Sequence, residues 1–474
     1  MFFRQYYLGC LSHASYLVGD TTTGRAVVVD PQRDISEYLA DAAANGLHIE
    51  RVIETHFHAD FLSGHLELAA ATGAVISYGE AAQGRAEFPI DALADGRRLS
   101  LGEVVLEIRA TPGHTPESIS VVVFERAGDA EPYGVLTGDT LFIGDVGRPD
   151  LLTSVGVGAD DLARRLYRSL HTQLMTLPDT TRVFPAHGAG SACGKNLSTE
   201  TVSTIGEQRR LNYAVQPMTE DAFVEVVTEG QPPAPLYFAF SASRNMQNRP
   251  LLDEGDVPAS LTLDEIVARQ AAGDLVLDTR SPTEFALGHL RGSVNVGLEG
   301  RFAEYAGDVI RPDQTVVLVA DGPEAAAEAR IRLGRIGFDR VDGALLDPIA
   351  AFVANPGRVE PSTRITATEL AERRDSIVGL QIVDVRNEGE ARVSGIVPGG
   401  RVVPLPRLLD RLGELDPAAP TVVHCAGGYR SSVAASLLRT AGFADVSDLV
   451  GGFGAWAAAG LAVEAWAPAA STGA

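Results

Sequence analysis

The chain is poor in the residues that mark disulfide-stabilised or membrane-spanning proteins. Its 474 residues include 3 cysteines, and aromatic residues make up 6%. Few, widely separated cysteines argue against a disulfide framework and for a reducing compartment. No window approaches the roughly 18 consecutive apolar residues of a membrane-spanning helix, and the N-terminal stretch has no apolar signal region. We therefore expect a cytoplasmic protein with no membrane partner.

Positive charge is also scarce. Lys and Arg number 39 against 62 Asp and Glu, which gives a formal net charge of -23. A surface this acidic repels phosphate backbones. We expect no nucleic-acid partner.

What the chain has is length and apolar content. Apolar residues make up 45% of the sequence, and the chain is too long for one core and long enough for three domains. Strand-like and helix-like runs alternate over the first 228 residues, and RVIETH (51–56) is a predicted strand that ends in a histidine. Such strands deliver polar side chains into the loops of an α/β active site. A stretch rich in Pro, Ser, Asn and Gln (228–260) is predicted to be a linker or an interdomain cover.

The region after this linker contains an internal repeat. The segments DTRSPTEF and TVVLVADG, which begin at 278 and 315, resemble DVRNEGEA and TVVHCAGG, which begin at 384 and 421. Both offsets are 106, since 384 − 278 and 421 − 315 agree. The period is too long for a solenoid and predicts two tandem α/β domains. The predicted domains are 1–240, 258–358 and 362–468.

Four segments of the first domain carry the residue types that bind metals. They are THFHADF (55–61), ATPGHTPES (110–118), LTGDTLF (136–142) and FPAHGAGSACG (184–194). Histidine nitrogens and carboxylate oxygens suit borderline divalent ions. The order HxHxD, H, D, H resembles the metallo-β-lactamase fold over roughly the whole first domain. The resemblance implies an αββα sandwich.

Phe61 stands where dinuclear members of that fold have a histidine ligand to a second metal. A phenyl ring cannot coordinate, and its bulk fills the place, so we expect one metal ion. Persulfide dioxygenases are mononuclear relatives within the fold, although the human type keeps a histidine here. Phe61 therefore argues against two metals more strongly than it argues for iron.

The resemblance to persulfide dioxygenases implies the metal ligands. One Fe(II) per chain, with Zn as the alternative, would be held by His56, His114 and Asp139. Two histidines and one carboxylate leave positions open for substrate and dioxygen. The pattern has three further residues, His58, Asp60 and His187. They would orient ligands and water, be remnants of a second metal site, or be plain hydrogen-bonded residues.

Two further residues are candidates for substrate binding. Arg148, in a segment that resembles the family's GRxD, could hold a substrate carboxylate, or it could pair with Asp145 or Asp150. Cys193 lies near Lys195 in the sequence, and a nearby cation lowers a thiol pKa. Cys193 could therefore be a reactive thiol near the iron, or simply a small buried residue.

The second repeat contains a cysteine loop between a predicted strand and a helix that should begin near Ser431. Gly427 and Gly428 let successive N–H groups face inward, and the helix N-terminus adds partial positive charge. Such a cradle stabilises a thiolate on Cys425. The loop resembles the rhodanese active site, and DVRNEGE (384–390) resembles the rhodanese DxRxxxE segment.

That resemblance implies sulfur transfer. Cys425 and Arg430 would be catalytic, and Gly427, Gly428 and Tyr429 would bind the substrate. Cysteine phosphatases use a similar loop, but the acidic chain and the upstream segment favour sulfur. In the first repeat the alignment places Val319 at the position of Cys425, with two carboxylates following it, so we predict an inactive copy.

The whole chain resembles fused persulfide dioxygenase–rhodanese proteins. The resemblance implies that a low-molecular-weight thiol persulfide is oxidised by O2 to sulfite, and that sulfane sulfur passes through Cys425 with thiosulfate as product or donor. It also suggests a homo-oligomer. Two alternatives stay open: a dinuclear zinc thioester hydrolase of the glyoxalase II type fused to a sulfurtransferase, and a persulfide sensor without turnover.

Overall fold

The structure is a computed structural model that describes residues 1–151, 156 and 158–467. The chain forms two compact units. The first contains Met1–Gln231, Phe238–Glu254 and Gly334–Gly337, and the second contains both repeats except Gly334–Gly337. The predicted end of the third domain, at 468, lies outside the described residues.

The first sheet of unit one follows chain order. Its strands are β1 (Phe2–Leu8), β2 (His13–Asp20), β3 (Arg25–Val29), β4 (His48–Ile53), β5 (Val75–Gly79) and β6 (Asp91–Leu93). The pairings from β1 to β3 are antiparallel, and those from β3 to β6 are parallel. Residues 27–29 are buried on both sides of the sheet, which is why this strand reads as an unbroken apolar run.

The second sheet also follows chain order. Its strands are β7 (Arg98–Ser100), β8 (Val105–Ala110), β9 (Ile119–Phe124), β10 (Gly134–Gly138), β11 (Arg182–Pro185) and β12 (Ser203–Thr204). Only the β10–β11 pairing is parallel among these strands of the described chain.

The main core of unit one lies between these sheets, where Val27 and Ile53 pack with Val121 and Leu136. Helices cover the outer faces. They are α1 (Ser36–Ala44) and α2 (His65–Thr72) on the first sheet, and α3 (Ala159–Ser169), α4 (Ile205–Leu211) and α5 (Glu220–Thr228) on the second. The αββα sandwich is confirmed.

The predicted linker is not unstructured. It contains α6 (Phe238–Met246), which belongs to unit one. Phe238, Ser241 and Asn245 are buried on one side of this helix. The polar composition concealed the helix because its buried face includes Ser and Asn, which hydrogen-bond inside the unit.

The first repeat has a parallel sheet in the order β15-β13-β16-β17. The strands of this repeat are β13 (Leu275–Asp278), β14 (His289–Leu290), β15 (Val294–Asn295), β16 (Val316–Val319), β17 (Val341–Leu345) and β18 (Val359–Glu360), of which β14 and β18 form a separate pair. Its helices are α7 (Leu263–Ala271), α8 (Pro282–Leu287), α9 (Phe302–Gly307), α10 (Pro323–Gly334) and α11 (Pro348–Ala354).

The second repeat has a parallel sheet in the order β19-β23-β22-β20-β21. Its strands are β19 (Thr363–Ile365), β20 (Gln381–Asp384), β21 (Arg401–Val402), β22 (Thr421–His424) and β23 (Val446–Leu449). Its helices are α12 (Ala367–Arg373), α13 (Glu388–Ser394), α14 (Tyr429–Thr440) and α15 (Gly452–Ala458). Two α/β repeats are therefore confirmed.

The sheet register corrects the alignment of the two cysteine-loop positions. Val319 pairs with Asp278, whereas His424 pairs with the equivalent Asp384. Val319 therefore corresponds to His424 and not to Cys425. Residues 320–322 join strand to helix in the first copy, against 425–428 in the second. The same shift holds beyond the loop, since the Phe338 amide donates to the Leu333 carbonyl as the Phe443 amide does to that of Leu438. Ala320 therefore stands in place of Cys425, and the helix of the first copy begins one residue earlier.

Within the described part of the chain, no helix combines the length and apolar character needed to cross a membrane.

Candidate metal centre and sulfur-transfer loop

The three predicted metal ligands and His187, predicted as a supporting residue or a remnant of a second site, all follow strand ends in unit one. His56 follows β4, His114 follows β8, Asp139 follows β10 and His187 follows β11. Each side chain is at most 2% exposed. The strands thus bring four distant segments to one edge of the sandwich.

Each of three histidines is oriented through its Nδ1 atom. His114 Nδ1 lies 2.9 Å from the Arg148 carbonyl, and His187 Nδ1 lies 3.1 Å from the Ser12 carbonyl. A carbonyl can only accept, so both rings carry the proton on Nδ1 and leave Nε2 free. His56 Nδ1 lies 3.0 Å from Thr55 Oγ1. That hydroxyl already donates to Asp30 Oδ2 at 2.9 Å, so it accepts from His56.

The free atoms converge on Asp139. The Asp139 Oδ2 atom lies 3.5 Å from His114 Nε2 and 3.9 Å from His56 Nε2. Among the described residues, neither Asp139 oxygen nor His56 Nε2 has a hydrogen-bond partner. Burial, and then His58, lower the pKa of His56 well below its ordinary value, which favours the neutral ligand form. Buried polar atoms without partners are rare, and this set fits a divalent metal ion.

His58 is oriented differently. Its Nε2 lies 3.0 Å from Asp30 Oδ1 and 3.4 Å from Glu54 Oε2. Although burial favours the neutral ring, Asp30 and then Glu54 raise the pKa of His58 well above its ordinary value. The Nδ1 atom of His58 has no hydrogen-bond partner among the described residues, so each histidine of HxH can present one ring nitrogen to a metal ion.

The second ligand group of the pattern is also assembled. His58, Asp60 and His187 offer ligand atoms within 4.8 Å of one another, and His187 Nε2 lies 3.3 Å from Asp60 Oδ2. The Phe61 ring packs beside it, with centroids 4.4 Å from His58 and 3.9 Å from His13. Phe61 thus occupies the place of a further ligand.

Three residues that hold these groups are not predicted from the sequence: Asp30, Glu54 and Asn245. Asp30 also accepts from the Thr55 amide at 2.7 Å, so it organises both histidines of HxH. Asn245 donates to the carbonyls of His58 and Phe61 at 2.8 and 2.7 Å. Asp30 and Glu54 each follow a buried apolar strand in the sequence, which is a usable signal. Asn245, in the predicted linker, has no such sequence signal.

One glycine permits the close approach that brings β10 to Thr55. Gly138 has φ +52, and a Cβ there would lie 2.6 Å from Thr55 Oγ1. A larger residue would displace the hydroxyl that orients His56.

Arg148 lies beside the metal cluster but is engaged in the protein. Its Nε and Nη2 atoms donate to the two Asp150 oxygens at 2.8 Å each, and the side chain is 3% exposed. The predicted alternative of an ion pair with Asp150 is what the structure contains. Binding of a substrate carboxylate by Arg148 stays a prediction.

The prediction that Lys195 lowers the pKa of Cys193 is wrong. The Lys195 ammonium donates to the carbonyls of Val226 and Glu229 at 2.5 and 2.9 Å. Burial, and then the charges of Asp60 and Asp139, raise the pKa of Cys193 well above its ordinary value. Cys193 nevertheless lies in the cluster, with its sulfur within 4.8 Å of ligand atoms of Asp139 and His187.

The sulfur-transfer loop of unit two follows β22. Cys425 is 2% exposed, and the Gly428 amide donates to its Sγ at 3.1 Å. Helix α14 begins at Tyr429, two residues before the predicted start at Ser431. Gly428 caps it with φ +104, a conformation that glycine adopts without strain.

The side chains after Cys425 are fixed by partners. Arg430 forms two hydrogen bonds with Glu390, at 2.7 and 2.8 Å. Although burial favours the neutral form, the hydrogen bonds with Glu390 raise the pKa of Arg430. The Tyr429 hydroxyl donates to the Gly297 carbonyl of the first repeat. The catalytic and substrate-binding roles predicted for Arg430, Gly427, Gly428 and Tyr429 stay predictions.

Comparison with known proteins identifies both parts. Residues 8–187 match the family "Metallo-beta-lactamase superfamily", and residues 262–342 and 366–459 match "Rhodanese-like domain". "Persulfide dioxygenase ETHE1, mitochondrial" of Bos taurus is 31% identical over 237 residues, which cover 49% of this chain and 83% of that protein. The chain belongs to the persulfide dioxygenase-like metallo-beta-lactamases and carries two rhodanese-like domains.

Two other relatives add to this. A solved structure titled metallo-beta-lactamase, from Staphylococcus aureus, is 34% identical with a TM-score of 0.66, covering 73% of this chain and 98% of that chain. "Hydroxyacylglutathione hydrolase" of a Polaromonas strain is 34% identical over 174 residues, which cover 36% of this chain and 61% of that protein. The predicted dioxygenase–rhodanese fusion is therefore confirmed at the level of family.

Proposed function

We propose that this chain oxidises a low-molecular-weight thiol persulfide with O2, using one Fe(II) held by His56, His114 and Asp139, and that Cys425 transfers sulfane sulfur. The observation that carries the proposal is the convergence of two imidazoles on one carboxylate. His114 Nε2 and His56 Nε2 lie 3.5 and 3.9 Å from Asp139 Oδ2. That arrangement supplies two imidazoles and one carboxylate to one ion.

The residues of the cluster prepare this ion's site. The Arg148 carbonyl and Thr55 fix the proton of each imidazole on Nδ1, so both Nε2 atoms can ligate. Fe(II), when bound, would supply the open coordination positions for dioxygen and substrate, and the sulfane sulfur provides the four electrons that reduce dioxygen. Burial of the cluster excludes bulk water from the reacting sulfur. In overall balance, RSSH, O2 and water give RSH, sulfite and two protons.

Cys425 connects this product to the second unit. A persulfide on Cys425 gives its terminal sulfur to sulfite, so that thiosulfate forms and the Cys425 thiolate returns. The reverse transfer uses the same residues. Sulfite production on the same chain raises its concentration for this step.

A second candidate is a dinuclear zinc thioester hydrolase. The assembled His58, Asp60 and His187 group favours it, as does the similarity to a hydroxyacylglutathione hydrolase. Phe61, whose ring offers no ligand atom, stands against it.

Metal content and oxygen uptake separate the two candidates. Full-length protein is loaded anaerobically with Fe(II), desalted and given glutathione persulfide. We expect about one iron per chain, O2 consumption, and sulfite or thiosulfate as product. Two zinc ions per chain, no oxygen uptake and hydrolysis of a glutathione thioester would establish the alternative. Stoichiometric modification without turnover would indicate a sensor.

A further inference from the structure

The turn at the end of α10, in the inactive repeat, belongs to unit one. Residues Gly334–Gly337 lie in that unit, although they fall inside the segment 262–342 that matches "Rhodanese-like domain". The end of a helix leaves carbonyls without helical partners, and here unit one satisfies three consecutive ones. Gly334 accepts from Arg33 Nη1 at 2.7 Å, Arg335 from the Leu62 amide at 2.7 Å, and Ile336 from Ser241 Oγ at 3.0 Å.

The corresponding turn of the active repeat is exposed instead. From β16 onward the repeats are offset by 105 residues, since 424 − 319 and 443 − 338 agree. This offset pairs Arg335 with Thr440 and Ile336 with Ala441. Ile336 is completely buried, whereas Ala441 is exposed, and Thr440 Oγ1 donates to a carbonyl of its own helix at 2.7 Å. The arginine and the burial of its turn therefore distinguish the inactive copy from the active one.

The Arg335 side chain binds the segment that follows β3. Its Nε and Nη2 atoms donate to the two Asp34 oxygens at 2.8 and 2.6 Å, which is a paired, charge-assisted contact. Although burial favours the neutral form, Asp34 raises the pKa of Arg335, so the guanidinium stays charged. Asp34 lies four residues after Asp30, whose carboxylate contacts His58 and Thr55. The arginine thus anchors the segment that carries a supporting carboxylate of the metal cluster.

A third donor of Arg335 reaches the loop between β1 and β2. Its Nη1 atom lies 3.7 Å from Cys10 Sγ. Two residues further along, the Ser12 carbonyl accepts from His187 Nδ1 at 3.1 Å. Arg335 therefore contacts three segments that hold the cluster, namely the β1–β2 loop, the segment after β3 and, through its own carbonyl, the HxH loop.

We propose that Arg335 of the inactive repeat is a positioning residue of the metal centre. Its side chain holds Asp34 and Cys10, and its carbonyl holds the residue that follows Phe61, so the loops that carry the histidines keep the spacing that one ion requires. The first repeat, which has lost the cysteine of its own loop, thereby serves the reaction at the metal. This inference rests on the metal site of the proposed function.

The test compares metal binding in full-length Arg335→Ala and wild type. We expect the affinity for Fe(II), measured by competition with a chelator, to fall about tenfold, the lower end of the effect of residues that support metal ligands. With Co(II) in place of iron, the visible absorption bands should shift, because they report the geometry of the ligands. Sulfur transfer from thiosulfate through Cys425 should not change.

Two further variants separate positioning from general stability. Arg335→Lys should lose less affinity than Arg335→Ala, because an ammonium keeps the charge but cannot bind both Asp34 oxygens as a planar fork does. Asp34→Asn should reproduce the loss, and the double variant should add little to it, since both changes remove one interaction. If Arg335→Ala does not fold, these two variants carry the same comparison.

Arg340→Ala is the matched control, because this arginine of the same repeat is 61% exposed and donates to the Asp313 carbonyl. It should leave metal affinity unchanged, and an equal loss in this variant would overturn the inference. Wild-type affinity and an unchanged Co(II) spectrum in Arg335→Ala would also overturn it, whatever happens to thermal unfolding. If the wild type binds no iron, the proposed function fails, and the Co(II) affinities of wild type and variant then decide the inference by themselves.

Discussion

The metal cluster and the sulfur loop are built in opposite ways. The cluster draws its donors from segments between residues 56 and 187, which meet only because their strands end at one edge. The loop is one continuous run, Cys425 to Arg430, between a strand and a helix. Both reactive centres are buried.

This difference shows which groups control the chemistry of each site. In the loop, the backbone N–H of Gly428 donates to Cys425 Sγ. In the cluster, the two histidines of HxH are held through different ring nitrogens, because Thr55 contacts His56 Nδ1 whereas Asp30 and Glu54 contact His58 Nε2. Changes at the cluster should therefore spread through its supporting residues, and changes at the loop should stay local.

The largest expected effect is at Cys425. Cys425→Ser removes the nucleophile and should lower sulfur transfer by roughly a thousandfold or more. Iron content and oxygen uptake should not change, because the ligands lie on another unit. Cys10→Ser is the matched control and should retain transfer. The measurement is thiosulfate:cyanide sulfurtransferase activity; retained activity in Cys425→Ser would refute the role of this cysteine.

The next effect is at the metal cluster. Asp139→Asn removes the carboxylate on which both imidazoles converge. Oxygen uptake should fall about a hundredfold or more, together with bound iron, since even supporting residues alter metal affinity by about 10- to 100-fold. Asp160→Asn, on the exposed side of α3, is the control. Full iron content in Asp139→Asn would exclude this carboxylate as a ligand.

The supporting carboxylates should differ from each other. Asp30→Asn disturbs the Thr55 contact that orients His56 as well as His58, and it should weaken iron binding by about 10- to 100-fold. Glu54→Gln contacts His58 but not Thr55, so its effect should be smaller. Iron affinity by competition with a chelator measures both. A larger effect of Glu54→Gln would show that His58 itself binds the metal.

The smallest effect is expected from the partner of Arg430. Glu390→Gln removes its charged partner and should lower sulfur transfer by about tenfold, because a buried charge loses a hydrogen-bonded pair. Glu284→Gln changes the equivalent position of the inactive repeat, 106 residues earlier, and should have no effect. Equal losses in both variants would mean that the substitution acts on folding, which thermal unfolding would report.

The sequence alone predicted whatever depends on short, local spacing. The two repeats and the strand–loop–helix around Cys425 follow from motifs along the chain, whereas the αββα sandwich and the ligand set His56, His114 and Asp139 are implied by the family resemblance. The prediction that the first repeat is inactive follows from its lost cysteine.

Contacts between segments that lie far apart in the sequence could be read only from the tertiary structure. Lys195 is two residues from Cys193, yet its ammonium binds carbonyls of α5 and of the residue after it. That Val319 corresponds to His424 and not to Cys425 emerged only from the sheet register. Asn245 supports the HxH loop from a helix far along the chain. Side-chain direction and long-range partners depend on packing, and packing is a property of the folded chain as a whole.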